Sequence, residues 1–125
     1  MEGKKLRVLV VEDDAVFRRG LALMFPRTKY EVTQTDNGQN ALEIIKQQLP
    51  DLVICDYRLP GADGLTVLNY LRRVGLSTPF ILVTAHYSEE LAALAQEGGA
   101  TAVCEKPIAL DHFKQQCQLA LGHPL

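Results

Sequence analysis

The sequence predicts an α/β fold, a three-layer (βα)5 doubly wound sandwich with a five-stranded parallel sheet and helices on both faces. Three observations carry this. Short apolar runs alternate with amphipathic stretches five times along the chain, the pattern of repeated strand-helix units. The first run, Val8-Leu9-Val10-Val11, is continuous rather than alternating, which suits a strand covered on both faces. Pro and Gly punctuate most of the boundaries between runs.

In chain order, the first strand is Arg7–Val11. A helix follows over Ala15–Phe25, with Phe17, Leu21, Met24 and Phe25 at helical spacing and Pro26 ending it. Tyr30–Thr35 is a weaker, alternating strand, expected at a sheet edge. Asn37-Gly38 turns the chain into a helix through Ala41, Leu42, Ile45 and Leu49, stopped by Pro50. Leu52–Cys55 is the third strand. Gly61 to Gly64 form a loop in which Asp63 is placed to cap a helix carrying Leu65, Leu68 and Leu71, closed by Gly75. Phe80–Val83 is the fourth strand. Ser88 caps a helix whose first turn holds Glu89 and Glu90, where the helix dipole favours acids, and Gly98-Gly99 ends it. Ala102–Cys104 is a short fifth strand. Leu110, Phe113, Cys117 and Leu121 line one face of a last helix, stopped by Gly122 and Pro124.

Composition bounds the function. A chain of 125 residues makes one domain, residues 1–125, with an ordered core over about 6–121. Apolar residues at 47% and charged residues at 22% read as soluble and globular rather than disordered. A net charge of −2 leaves no electrostatic footprint for nucleic acid. No apolar run approaches the roughly 18 residues of a membrane span. The start does not read as a signal peptide, because charged Met1–Lys5 is followed only by Leu6–Val11, interrupted by Arg7. Cys55, Cys104 and Cys117 are odd in number and lack metal-ligand spacing. They read as small core residues of a reduced, cytoplasmic protein. The tail after Gly122 is too short for an effector domain.

In open α/β sheets the functional crevice lies outside the carboxyl ends of the strands. Glu12 and Asp13 follow strand one, Asp56 follows strand three, Thr84 follows strand four and Lys106 lies just past strand five. Neighbouring strand ends lie about 5 Å apart. Glu12, Asp13 and Asp56 therefore form a cluster of carboxylates that repel one another unless a cation joins them. Mg²⁺ suits such a site, since it takes one or two carboxylates, several waters and a phosphate. A carboxylate can also attack phosphorus. The charge on the transferring group could then be met by Mg²⁺, by the Lys106 ammonium and by the Thr84 hydroxyl. Taken singly, each residue has a plainer reading. Asp14 caps the first helix, Asp56 opens a turn, Lys106 is a solvated lysine and Thr84 is a β-branched strand residue. The ordered set is what points to phosphoryl chemistry.

This set resembles the receiver domains of two-component response regulators. The matching pieces are Val8-Leu9-Val10-Val11-Glu12-Asp13-Asp14, then Asp51-Leu52-Val53-Ile54-Cys55-Asp56-Tyr57-Arg58-Leu59-Pro60-Gly61-Ala62-Asp63-Gly64, then Val83-Thr84-Ala85 and Lys106-Pro107. The resemblance covers essentially the whole chain. It implies a flavodoxin-like strand order of 2-1-3-4-5 and a cis Lys106–Pro107 bond. It implies that Asp56 is the phosphoacceptor and that Thr84 and Lys106 contact the phosphoryl oxygens. Asp13, Asp56 and the backbone carbonyl of Arg58 would ligate Mg²⁺ (or Mn²⁺ in its place), with Glu12 acting through water. The implied donor is a histidine kinase or a histidine phosphotransfer protein, and the implied role is regulatory rather than enzymatic. The domain would still support its own phosphotransfer and autodephosphorylation. Phosphorylation would switch the face made by the fourth helix, fifth strand and fifth helix. An effector domain or target protein would read that face, and a homodimer through the last helices stays open.

Three positions depart from the commonest form of the family. Val103 stands where an aromatic residue often swings inward with the Thr hydroxyl. Either Val103 repacks or the loop after Thr84 carries the signal. Ile108 replaces a Phe, and Ala109 stands where a polar cap would start the last helix. Arg58 and His86, two residues past Asp56 and Thr84, are placed to tune dephosphorylation. Two other functions compete. A pseudo-receiver that binds partners without phosphorylation would have lost an acid or the lysine, and none is lost here. An Asp-nucleophile phosphatase would carry a second Asp where Arg58 stands. A nucleotide-binding module is disfavoured because no Gly-rich loop follows strand one.

Overall fold

A computed structural model describes residues 3–125. Met1 and Glu2, at the head of the charged start, lie outside the described residues. Five strands and five helices alternate: β1 (Leu6–Val11), α1 (Ala15–Leu23), β2 (Tyr30–Thr35), α2 (Gly38–Gln48), β3 (Leu52–Asp56), α3 (Gly64–Arg73), β4 (Phe80–Thr84), α4 (Glu89–Glu97), β5 (Ala102–Glu105) and α5 (Leu110–Leu121). All strand pairs are parallel, in the order β2-β1-β3-β4-β5. The expected (βα)5 flavodoxin-like topology is therefore present, with alternating β2 at an edge.

The continuous apolar runs are explained by two core layers. Leu9 and Val11 of β1 face one way, with Val53, Cys55 and Leu82, against Ala41 and Ile45 of α2, Leu68 and Leu71 of α3, and Leu91 and Ala95 of α4. Val8 and Val10 face the other way, with Ile54, Ile81 and Val83, against Leu21 of α1 and Phe113 and Cys117 of α5. Successive strand residues point to opposite faces, so a strand buried on both faces must be apolar at every position. Each fully buried Leu, Ile or Phe contributes about 1.5–3 kcal/mol. All three cysteines are buried and free, as core residues.

Four of the five helices open on a side-chain cap. Asp14 accepts from the Val16 and Phe17 amides, Asn37 from Asn40, Asp63 from Thr66 and Ser88 from Leu91. Ala109 offers no such bond to α5, as its side chain requires.

Four apolar residues depart from the expected helical stripes. α1 stops at Leu23, two residues early, because Met24 and Phe25 turn back onto Leu21 and Ala22 carbonyls at 3.2 Å. Phe25 stays buried by packing edge-on against Tyr30, ring centroids 5.3 Å apart. Leu49 leaves α2 in a left-handed turn, φ 49°, and is 59% exposed. Leu110, the first residue of α5, is 60% exposed, so Phe113 and Cys117 form that helix's buried stripe. In both cases the helix end has rotated the side chain past the sheet.

Candidate functional site

The β1 and β3 ends lie side by side, with Val11 paired to Cys55. The next residues, Glu12 and Asp56, therefore emerge together at the carboxyl edge. Asp56 in turn pairs with Val83, one residue before Thr84, and Thr84 pairs with Glu105, one residue before Lys106. Register alone brings residues from four strands to one place. Each of Glu12, Asp13 and Asp56 offers a carboxylate oxygen within 4.8 Å of the others. Glu12 and Asp56 are buried, at 1% and 7% exposure, while Asp13 is exposed.

Lys106 crosses this group. Its ammonium lies 2.6 Å from Glu12 Oε1 and 3.0 Å from Asp56 Oδ2. The Lys106–Pro107 peptide is cis, as expected. The other oxygen of Glu12 accepts the Asp14 amide at 3.0 Å. Burial pushes the Glu12 carboxyl from its usual 4.5 up to about 7, against the pull of Lys106 and the Asp14 amide. Burial works against the charge on Lys106, but its hydrogen bonds to Glu12 and Asp56 outweigh this and hold its pKa above the ordinary value. Removing Lys106 would thus take away a hydrogen bond that favours the charged form of Glu12.

Thr84 is wholly buried, and its hydroxyl accepts the His86 amide at 2.9 Å. Arg58 and His86 are exposed, beside the site in sequence. His112 and His123 are also at the surface. Val103 is half-buried against the layer formed by α2, α3 and α4.

Sequence reasoning missed three neighbours. The face of the Phe17 ring covers the Lys106 ammonium, 4.7 Å from the ring centroid. Arg18 Nη1 donates to the Glu12 carbonyl at 2.8 Å. Gly64 starts α3 so close to the end of β3 that a Cβ there would lie 2.5 Å from the Asp56 carbonyl oxygen. The Gly64 amide bonds to the Tyr57 carbonyl at 2.8 Å, which locks the loop after Asp56. The Asp63-Gly64 pair signalled a helix start, but its contact with Asp56 could be seen only in three dimensions.

A family model of the response regulator receiver domain matches residues 8–118. The chain belongs to this family. The receiver domain is 32% identical over 123 residues to the transcriptional regulatory protein ZraR of Klebsiella oxytoca, covering 98% of this chain and 28% of that protein. It spans little more than a quarter of that relative's length. The solved BeF3-activated N-terminal receiver domain of Klebsiella pneumoniae RstA is 30% identical, with a TM-score of 0.82 over 92% of this chain and 97% of that one. A CheY-like receiver domain protein from Methanospirillum hungatei is similar in fold alone, at 23% identity and a TM-score of 0.88 over 95% of both chains. A receiver domain is a regulatory module of two-component systems. Among the described residues, no helix is long and apolar enough to cross a membrane.

Proposed function

We propose that Asp56 accepts a phosphoryl group from the phospho-histidine of a sensor kinase or phosphotransfer protein. The observation that carries this reading is the convergence of three carboxylates and one ammonium at the end of the sheet. The donor set is all oxygen and partly exposed through Asp13, which fits a hard divalent cation that keeps several waters. Asp13, Asp56 and the Arg58 carbonyl would hold Mg²⁺, with Glu12 acting through water. Bound there, the ion would neutralise charge on the carboxylates and on the incoming phosphoryl group.

An Asp56 carboxylate oxygen attacks phosphorus, and the bond from phosphorus to the histidine nitrogen breaks, its electron pair leaving with the nitrogen. Lys106 moves from the carboxylates to a phosphoryl oxygen, and the Thr84 hydroxyl meets another. That hydroxyl now holds the His86 amide, so its move would release the loop after β4. This supports the loop, rather than an inward-turning ring at Val103, as the start of the shape change.

The test is incubation with Mg²⁺ and acetyl phosphate, read by intact mass for an acid-stable, base-labile phosphate. Labelling of the wild type and none of Asp56→Asn is the expected result. An unlabelled wild type would favour a partner-binding module without phosphorylation. Rapid turnover of unrelated phosphate esters would favour a phosphatase.

A further inference from the structure

Lys106 must stay at the pocket rim while its anionic partners change. An ammonium has three N–H donors. Two meet Glu12 and Asp56. The same nitrogen also lies over the face of Phe17, 4.7 Å from the ring centroid. An aromatic face attracts a cation through its quadrupole, and does so more strongly when the pair is partly desolvated.

Phe17 is itself held in place from the same pocket. Its amide donates to Asp14 Oδ1 at 3.1 Å. The Asp14 amide donates to Glu12 Oε2, and Glu12 Oε1 receives Lys106. Glu12, Asp14, Phe17 and Lys106 thus form a closed ring of contacts that joins the first turn of α1 to the end of β5. The Glu12 and Asp56 contacts in that set are with groups that would share their charge with Mg²⁺. The Phe17 face is neutral and does not compete for the metal.

We infer that Phe17 is a positioning residue for phosphoryl transfer: its ring face holds the Lys106 ammonium at the rim of the acidic pocket as the carboxylates turn to the metal. The inference rests on the Asp56 reading for its kinetic consequence, but not for the contact itself. The ring covers the lysine without touching the transferring group. Loss of its negative face loosens Lys106 and slows transfer, whereas loss of apolar volume alone would act on the packing of α1.

Two measurements test this. The first is the phosphorylation rate with acetyl phosphate at saturating Mg²⁺, for Phe17→Leu, for Phe17→Trp and for 3,4,5-trifluorophenylalanine installed at position 17. The fluorinated ring keeps nearly the same shape but has a weakened face. The leucine and trifluoro forms are expected to be about three- to tenfold slower, with tryptophan restoring the rate. Mg²⁺ affinity should stay within about twofold, since the ring touches no proposed ligand. A trifluoro form at the wild-type rate overturns the inference. The second measurement needs neither metal nor phosphate. The Lys106 ε-methylene protons should show an upfield ring-current shift in the metal-free protein, lost in Phe17→Leu. Absence of that shift in the wild type overturns the inference as well. Should the wild type take no phosphate, the Asp56 reading falls, and the proton shift still decides the Phe17–Lys106 contact.

Discussion

At the carboxyl end of the sheet Lys106 sits against two carboxylates; at the amino end Arg72 sits against three backbone carbonyls. Arg72 Nη1 donates to Leu76, and Nη2 to Thr78 and Gly99, each at 2.8 Å. These bonds tie the end of α3 to the segments that lead into β4 and β5. Gly99 makes room for the clamp, since it holds φ +92° and a Cβ there would lie 2.8 Å from Arg72 Nε. Burial lowers the Arg72 pKa, yet a guanidinium stays charged in proteins. Its partners are peptide dipoles that neither titrate nor exchange. Lys106 has partners that can bind a proton, a metal or a phosphoryl group. The same charge is therefore a fixed brace at one end and a movable part at the other.

Substitution at each end should separate the two roles. Lys106→Met is expected to slow phosphorylation by acetyl phosphate by about a hundredfold, the cost of removing one preorganised charge from the transferring group. Mg²⁺ binding should persist, because the carboxylates remain and lose their internal counter-ion. A variant that phosphorylates normally would erase the distinction. Arg72→Met should do the reverse. It should lower unfolding stability by about 2 kcal/mol in a denaturant titration, the scale of lost charged hydrogen bonds, with the phosphorylation rate within about twofold of wild type. A large rate loss there would mean that the amino-end clamp also shapes the site.

The finest distinction is in pH. The folded metal-free protein holds the Glu12 proton up to about pH 7, against a usual 4.5. Between those values the folded state binds more protons than the unfolded chain, so this group's contribution to stability falls as the pH rises. Glu12→Gln should flatten that slope between pH 4.5 and 7. Saturating Mg²⁺ should flatten it too, by displacing the proton. Arg72→Met should leave the slope as it is. Thermal melts across the window check all three.

Much of the site was legible because a parallel sheet converts sequence into position. Each strand ends at one edge, so a polar residue following an apolar run is placed there whatever its distance along the chain. Glu12, Asp13, Asp56, Thr84 and Lys106 were found that way, and the caps at Asp14, Asp63 and Ser88 by local hydrogen-bonding chemistry. The helix ends were harder. Phe25, Leu49 and Leu110 all fit the apolar period, but helix ends release side chains from it.

The alternation of apolar runs and amphipathic stretches thus determined the fold class, the strand ends and the identity of the acidic pocket, because periodicity and capping act over a few neighbouring residues. Tertiary structure alone decided the partners. Lys106 meets Glu12 from 94 residues away, Phe17 lies over the same ammonium, and Arg72 reaches Gly99 across 27 residues. These contacts depend on how far each helix rotates and where each loop returns. Those are properties of packing between elements, and no local pattern in the chain encodes them.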